Sequence, residues 1–276
     1  MTHNSQPMTN LSLLLIGCGK MGGALLARWR QSSLVQDIHV IDPNGEQACE
    51  ANISWHKDLS SLPADALPSI IVIAVKPQQL DSILPEYQTR FAQSTPLYLS
   101  IAAGKTIGYF QSYFGNAARV VRAMPNTPAL VGKGMTALCA SANLDNASKQ
   151  LAGDLMKAVG SVEWIADESL MDAVTAISGC GPAYVFLMLE SLVKAGMAVG
   201  LPEMLAKTLA VETLHGSMHL AAKSDKSFEQ MRIDVASPGG ATEAALRVLM
   251  QDNALENLMT HATGAAKTRS KELSLI

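Results

Sequence analysis

Residues Leu11 to Ala24 read LSLLLIGCGKMGGA. The apolar run Leu13 to Ile16 has strand length and feeds directly into Gly17, Gly19 and Gly22, spaced as G-x-G-x-x-G. Good helix formers follow from Met21 to Gln31. The stretch predicts a strand, a tight turn and a helix. In such a unit the first glycine permits the turn, the second lets backbone approach a pyrophosphate, and the third lets helix pack on strand. The helix N-terminus then presents unpaired N–H groups to an anion. Gly17, Cys18, Gly19, Lys20, Met21 and Gly22 are therefore candidates to hold a dinucleotide.

Working outward, Ile38 to Asp42 (IHVID) reads as a second strand ending in an acid twenty residues past Gly22. That is where a dinucleotide fold places the carboxylate that bonds an adenosine ribose 2′-hydroxyl. Asp42 also reads as the cap of a helix opened by Pro43, and the two roles can coexist.

Composition narrows the class. The chain has 276 residues, room for one or two domains. Only 16% are charged against about 25% in an ordinary soluble domain, so surface burial against another copy is expected. The net charge of −3, with no Lys/Arg block, argues against nucleic acid. Cys18, Cys49, Cys139 and Cys180 are widely spaced and form no C-x-x-C pair, as expected of reduced thiols in the cytoplasm. The first ten residues lack the order of a signal peptide, and no apolar run approaches the roughly twenty residues of a membrane span.

Beyond Asp42, helical and strand-like segments alternate, which favours a parallel sheet wrapped by helices. Strands are expected at Ile70 to Val75, Leu97 to Ile101, Arg119 to Ala123 and Met135 to Ala140, with a helix from Gln78 to about Phe91. Four loops leave strand ends: Gly17 to Gly22, Lys76-Pro77, Ala102 to Gly104 and Pro125 to Pro128. In an open parallel sheet such loops converge on one ligand crevice. Each alone reads equally as an ordinary Pro/Gly turn.

Past Trp164 strand-like runs stop and Ala, Leu and Met dominate, so this half is expected to be helical. Glu203 to about Lys223 carries an apolar or small stripe at Ala206, Leu209, Ala210, Leu214 and Ala221. Two places break the pattern. Ser178 to Tyr184 (SGCGPAY) interrupts a helix expected from about Leu170 to Val199. Ser237 to Thr242 (SPGGAT) precedes a helix over Glu243 to Met250, with Ser237 as N-cap and Pro238 at the first helical position. This start is either a well-made cap or a site whose backbone N–H groups hold a small carboxylate. His215 and His219 lack the glutamate and third ligand that a metal site needs, so no metal is expected.

Taken together, GCGKMGGA, AVKPQ at 74 to 78, SIAAG at 100 to 104, RAMPNTPALVGKGMTAL at 122 to 138, SGCGPAYVF at 178 to 186 and SPGGATEAALRVL at 237 to 249 closely resemble the pyrroline-5-carboxylate reductases. The resemblance runs over nearly the whole chain, and MPNTP, SGxGPAY and SPGGAT are its specific parts. It implies an α/β fold, with a Rossmann-like NAD(P)H-binding domain over residues 1–165. An all-α domain over residues 166–276 would carry dimerisation and substrate binding. It further implies reduction of the cyclic imine 1-pyrroline-5-carboxylate to L-proline by a cytoplasmic homodimer or larger homo-oligomer. On this sequence, Gly17 to Gly22 and Asp42 would hold the adenosine and pyrophosphate portions. Ala74, Val75, Lys76, Pro77, Ala102, Gly104 and Asn126 would lie along the nicotinamide. Ser237, Pro238, Gly239, Gly240, Ala241 and Thr242 would bind the substrate, with the Thr242 hydroxyl on the imine nitrogen.

Two departures stand out. Cys180 stands where many of these reductases have Ser, and Asp42-Pro43-Asn44 has no nearby Arg or Lys to receive a 2′-phosphate. An acid at that position repels the phosphate and favours NADH, whereas much of the family uses NADPH. A β-hydroxyacid dehydrogenase shares the glycine loop, but its catalytic lysine has no counterpart here before Lys194. A non-catalytic dinucleotide-binding regulator is the remaining alternative, and the intact SPGGAT argues against it.

Overall fold

The computed structural model describes residues 11–32, 34–45 and 52–274. Cys49 and the first ten residues therefore lie outside the described residues. The chain divides into two compact units, residues 1–179 with 267–276, and residues 180–266.

The first unit is a sheet wrapped on both faces. Strands β1 (Ser12–Ile16), β2 (Asp37–Ile41), β3 (Ile53–His56), β4 (Ile70–Ile73), β5 (Leu97–Ser100), β6 (Arg119–Met124), β7 (Gly134–Ala140) and β8 (Gly160–Trp164) lie in the order β3-β2-β1-β4-β5-β6-β7-β8. Neighbours pair in parallel except β6 with β7. The period of two along β1 sends Leu13 and Leu15 to one face and Leu14 and Ile16 to the other, all buried. On the first face they meet helix α1 (Lys20–Trp29) and, through Leu155 and Met156, helix α4 (Asn146–Lys157). On the second they meet α2 (Leu80–Arg90) and α3 (Ile107–Phe114). Trp29 is fully buried and its indole N–H donates to the Leu155 carbonyl at 2.8 Å, tying α1 to α4.

The expected parallel sheet is present, with strands added that the pattern did not reveal. β3 and β8 are the two edge strands and are only partly buried, so they lack the continuous apolar run of β4. The sequence pattern likewise does not reveal helices α3 and α4.

The helical half begins with a short helix α5 (Met171–Val174) and a π-helical turn at Thr175–Gly179. It continues as α6 (Gly181–Ala198), α7 (Glu203–Lys223), α8 (Phe228–Val235), α9 (Ala241–Met250) and α10 (Ala254–Ser274). Glu168 to Ala198, 31 residues, is long and apolar enough to cross a membrane by length and composition alone. This corrects the reading that no such segment exists. Gly179, Gly181 and Pro182 break the apolar run in the sequence; in the structure the π turn ends at Gly179, Cys180 forms a bend, and α6 opens directly after it at Gly181 with Pro182 in its first turn.

In the second unit α6 packs on α7 where Gly196 faces Ala206; a Cβ at Gly196 would stand 3.0 Å from the Ala206 methyl. Ala206 and Ala210 are buried, whereas Phe186, Leu187, Met204, Leu209, Met218, Leu220, Phe228 and Val235 are exposed. So much exposed apolar surface on one set of helices suits an association interface.

Candidate active site

The glycine loop has the geometry its spacing predicts. Gly17 has φ +88°, and a side chain there would also strike Val75 Cγ1 at 2.8 Å. A Cβ at Gly22 would fall 2.3 Å from the Gly17 carbonyl oxygen, so helix can lie on strand only with glycine there. Gly19, by contrast, faces open space, with nothing within 4 Å of its would-be Cβ. It is also the N-cap of α1 and offers no side-chain capping bond, which leaves the first N–H groups of the helix available.

Asp42 closes this loop from the end of β2. Its Oδ2 accepts the Cys18 backbone N–H at 2.6 Å, and its Oδ1 accepts the Asn44 N–H at 2.8 Å. Pro43 and Asn44 form a turn, with the Gly45 N–H on the Asp42 carbonyl, and do not begin the helix that Pro43 suggested. The Asx-type bond from Asn44 competes with helix initiation at this point. Burial, and secondarily the Asp42 charge, push the Cys18 thiol above its ordinary range.

Because β1, β4, β5 and β6 are adjacent and parallel, their C-terminal ends share one edge of the sheet. Gly17 to Gly22, Ala74 to Pro77, Ala102 to Gly104 and the Asn126 loop all leave that edge. Ala74 donates its N–H to the Ile16 carbonyl, and Lys76 caps a 3-10 turn at Pro77–Gln79. Exposed Lys20 and Lys76 bring positive charge to the edge. Ala102 N–H bonds the Ser100 hydroxyl at 3.2 Å, and Gly104, at φ +77°, lies under the C-terminal end of α10 at Leu273. Asn126 Oδ1 accepts the Met135 N–H at 2.8 Å, while Nδ2 donates to the Ser178 carbonyl at 3.1 Å. Neither contact was foreseen.

Ser237 to Thr242 belongs to the second unit. The turn there is closed by the Gly240 N–H on the Ser237 carbonyl at 3.0 Å, and Gly239 has φ +71°. That left-handed residue prevents Ser237 from serving as the N-cap with Pro238 at the first helical position, as the sequence suggested. Gly240 is the N-cap, and α9 opens at Ala241 with Thr242 half-buried in its first turn. Glu243 was also missed. Its carboxylate reaches back to the Gly239 N–H at 2.5 Å, an arrangement signalled by an acid at the third helical position.

Residues 168–273 match the family model for pyrroline-5-carboxylate reductase dimerisation, and residues 12–104 match the model for NADP oxidoreductase, coenzyme F420-dependent. A pyrroline-5-carboxylate reductase from Pseudomonas aeruginosa is 35% identical over 270 residues, covering 97% of this chain and 98% of its own. The crystal structure of pyrroline carboxylate reductase from Plasmodium falciparum, with NADP bound, superposes with a TM-score of 0.84 at 33% identity. It spans 97% of this chain and 99% of its own. A pyrroline-5-carboxylate reductase from Coxiella burnetii gives 0.85 at 33% identity, covering 95% and 98%.

Proposed function

The chain belongs to the pyrroline-5-carboxylate reductase family, and we infer that it reduces 1-pyrroline-5-carboxylate to L-proline with NAD(P)H. The observation that carries this reading is the match to a reductase of that name over 97% of the chain. Residues 166–276, which include the dimerisation match at 168–273, would form the homo-oligomeric, substrate-binding region, and residues 1–165, which include the oxidoreductase match at 12–104, the dinucleotide-binding region. The dimerisation match covers the apolar helix at 168–198, so a partner subunit accounts for its exposed surface without a membrane. The enzyme works in the cytoplasm.

The glycine loop suits a dinucleotide because Gly19 leaves open space at the N-terminus of α1. Gly17, Cys18, Gly19, Lys20, Met21 and Gly22 would hold the pyrophosphate through backbone N–H groups and the charge of Lys20. Asp42 would bond the ribose, and its charge favours NADH over NADPH. Ala74, Val75, Lys76, Pro77, Ala102, Gly104 and the Asn126 loop would line the nicotinamide side. A bound reduced nicotinamide supplies the hydride that the C=N carbon of the imine receives.

The first N–H groups of α9, after Ser237, Pro238, Gly239, Gly240 and Ala241, would bind the substrate carboxylate. Glu243 holds the turn in shape through the Gly239 N–H. The Thr242 hydroxyl would hydrogen-bond the imine nitrogen and orient the ring. A protonated imine needs little acid catalysis, so no histidine or carboxylate is required beside it. The test is product analysis: purified protein with 1-pyrroline-5-carboxylate and reduced cofactor must yield L-proline. Recovery of unreacted imine from folded, cofactor-binding protein would refute the reading.

A further inference from the structure

Asn126 follows β6 and stands in the MPNTP loop, yet both ends of its amide are committed within the protein. Oδ1 takes the Met135 N–H at 2.8 Å, and Nδ2 faces the Ser178 carbonyl at 3.1 Å and the Ser178 hydroxyl at 3.4 Å. Ser178 lies inside the π turn at Thr175–Gly179. Four residues on, where an α-helix would supply the N–H for that carbonyl, stands Pro182, which has none, and five on, where a π-helix would, the Ala183 N–H goes to the Cys180 carbonyl at 3.0 Å. The same loop meets the turn a second time, because a Cβ at Gly179 would come within 2.6 Å of Met124 Cε. A part-buried carbonyl left without its donor is costly, and a π turn is costly by itself.

We propose that Asn126 is a positioning residue: it gives the Ser178 carbonyl the N–H that Pro182 withholds and so locks the MPNTP loop onto the π turn. This rests on the reductase reading, in which that loop lies beside the nicotinamide. With its amide spent on Met135 and Ser178, Asn126 acts on turnover through the loop and the turn and makes no direct bond to the cofactor.

The experiment compares wild type, Asn126→Ala, Asn126→Asp, Ser178→Ala and the double variant Asn126→Ala/Pro182→Ala. Three quantities are measured: kcat with 1-pyrroline-5-carboxylate, the Kd of reduced cofactor, and hydrogen exchange over residues 175–178. Asn126→Ala and Asn126→Asp are expected to lower kcat about tenfold, with the Kd raised several-fold less than kcat falls. Asn126→Asp keeps the acceptor for Met135 and serves if the alanine variant does not fold. Ser178→Ala, which keeps the carbonyl, should change kcat less than twofold. The double variant regains an N–H at residue 182 and should recover kcat to within about threefold of wild type. Exchange over 175–178 should rise in Asn126→Ala and fall again in the double variant. A Kd that worsens as much as kcat, or a double variant no faster and no better protected than the single one, would overturn the proposal. Wild type without turnover would overturn the reductase reading instead, and the exchange pattern would still decide the role of Asn126.

Discussion

The backbone N–H of Cys18 donates to the Asp42 carboxylate at 2.6 Å, so the acid at the end of β2 is fastened to the glycine loop at the end of β1. With Oδ1 held by Asn44 as well, the carboxylate has a fixed position and a fixed charge where a ribose would lie. Replacing Asp42 with Ala should therefore shift the NADPH-to-NADH ratio of kcat/KM about tenfold or more toward NADPH. KM for both cofactors should rise, because Cys18 loses its acceptor. An unchanged ratio would remove Asp42 from cofactor choice.

The glycine loop discriminates between neighbouring glycines. Gly22→Ala would drive a methyl to 2.3 Å from the Gly17 carbonyl oxygen and should weaken reduced-cofactor binding more than tenfold. At Gly23 the nearest atom to an added Cβ is the Cys18 carbonyl oxygen at 3.7 Å, so Gly23→Ala should change the Kd less than twofold. Fluorescence titration with NADH separates the two.

Arg122, 6% exposed, donates to Glu168 Oε1 at 2.9 Å, and the same oxygen accepts the Ile107 N–H. Arg122→Ala should cost about 3 kcal/mol, because Glu168 keeps its charge and loses its partner in a part-buried place. Glu168→Gln, which can still accept from both donors, should cost about 1 kcal/mol. Denaturant midpoints, converted with a common slope, give both values.

The Cys18 thiol is held above the ordinary thiol range by burial and by Asp42, so its thiolate is scarce at neutral pH. Alkylation of Cys18 by iodoacetamide should be slower at pH 8 than that of a free thiol and should accelerate as pH rises. NADH should slow it further. Fast labelling at pH 7 would contradict the assigned environment.

Much of this was legible beforehand for identifiable reasons. Gly17, Gly22 and the buried run Ile70–Ile73 announce themselves because sterics and two-sided burial leave few alternative residues. The edge strand Gly160–Trp164 did not, since three of its five residues face solvent and carry no pattern. Ser237 and Pro238 read as a helix start by local grammar, and the left-handed Gly239 moved that start to Gly240. Asn126 was legible as part of a loop at the sheet edge, whereas its bond to Ser178 depends on a contact 52 residues away that no local pattern encodes.

The most direct test of the account is the initial rate of reduced-nicotinamide oxidation by purified wild type and Thr242→Ala, with 1-pyrroline-5-carboxylate and with NADH and NADPH in parallel. Rapid oxidation with L-proline as product, a higher kcat/KM with NADH, and a rate about a hundredfold lower for Thr242→Ala are expected. Folded protein that binds both cofactors yet oxidises neither with this imine, while turning over a β-hydroxyacid, would contradict it.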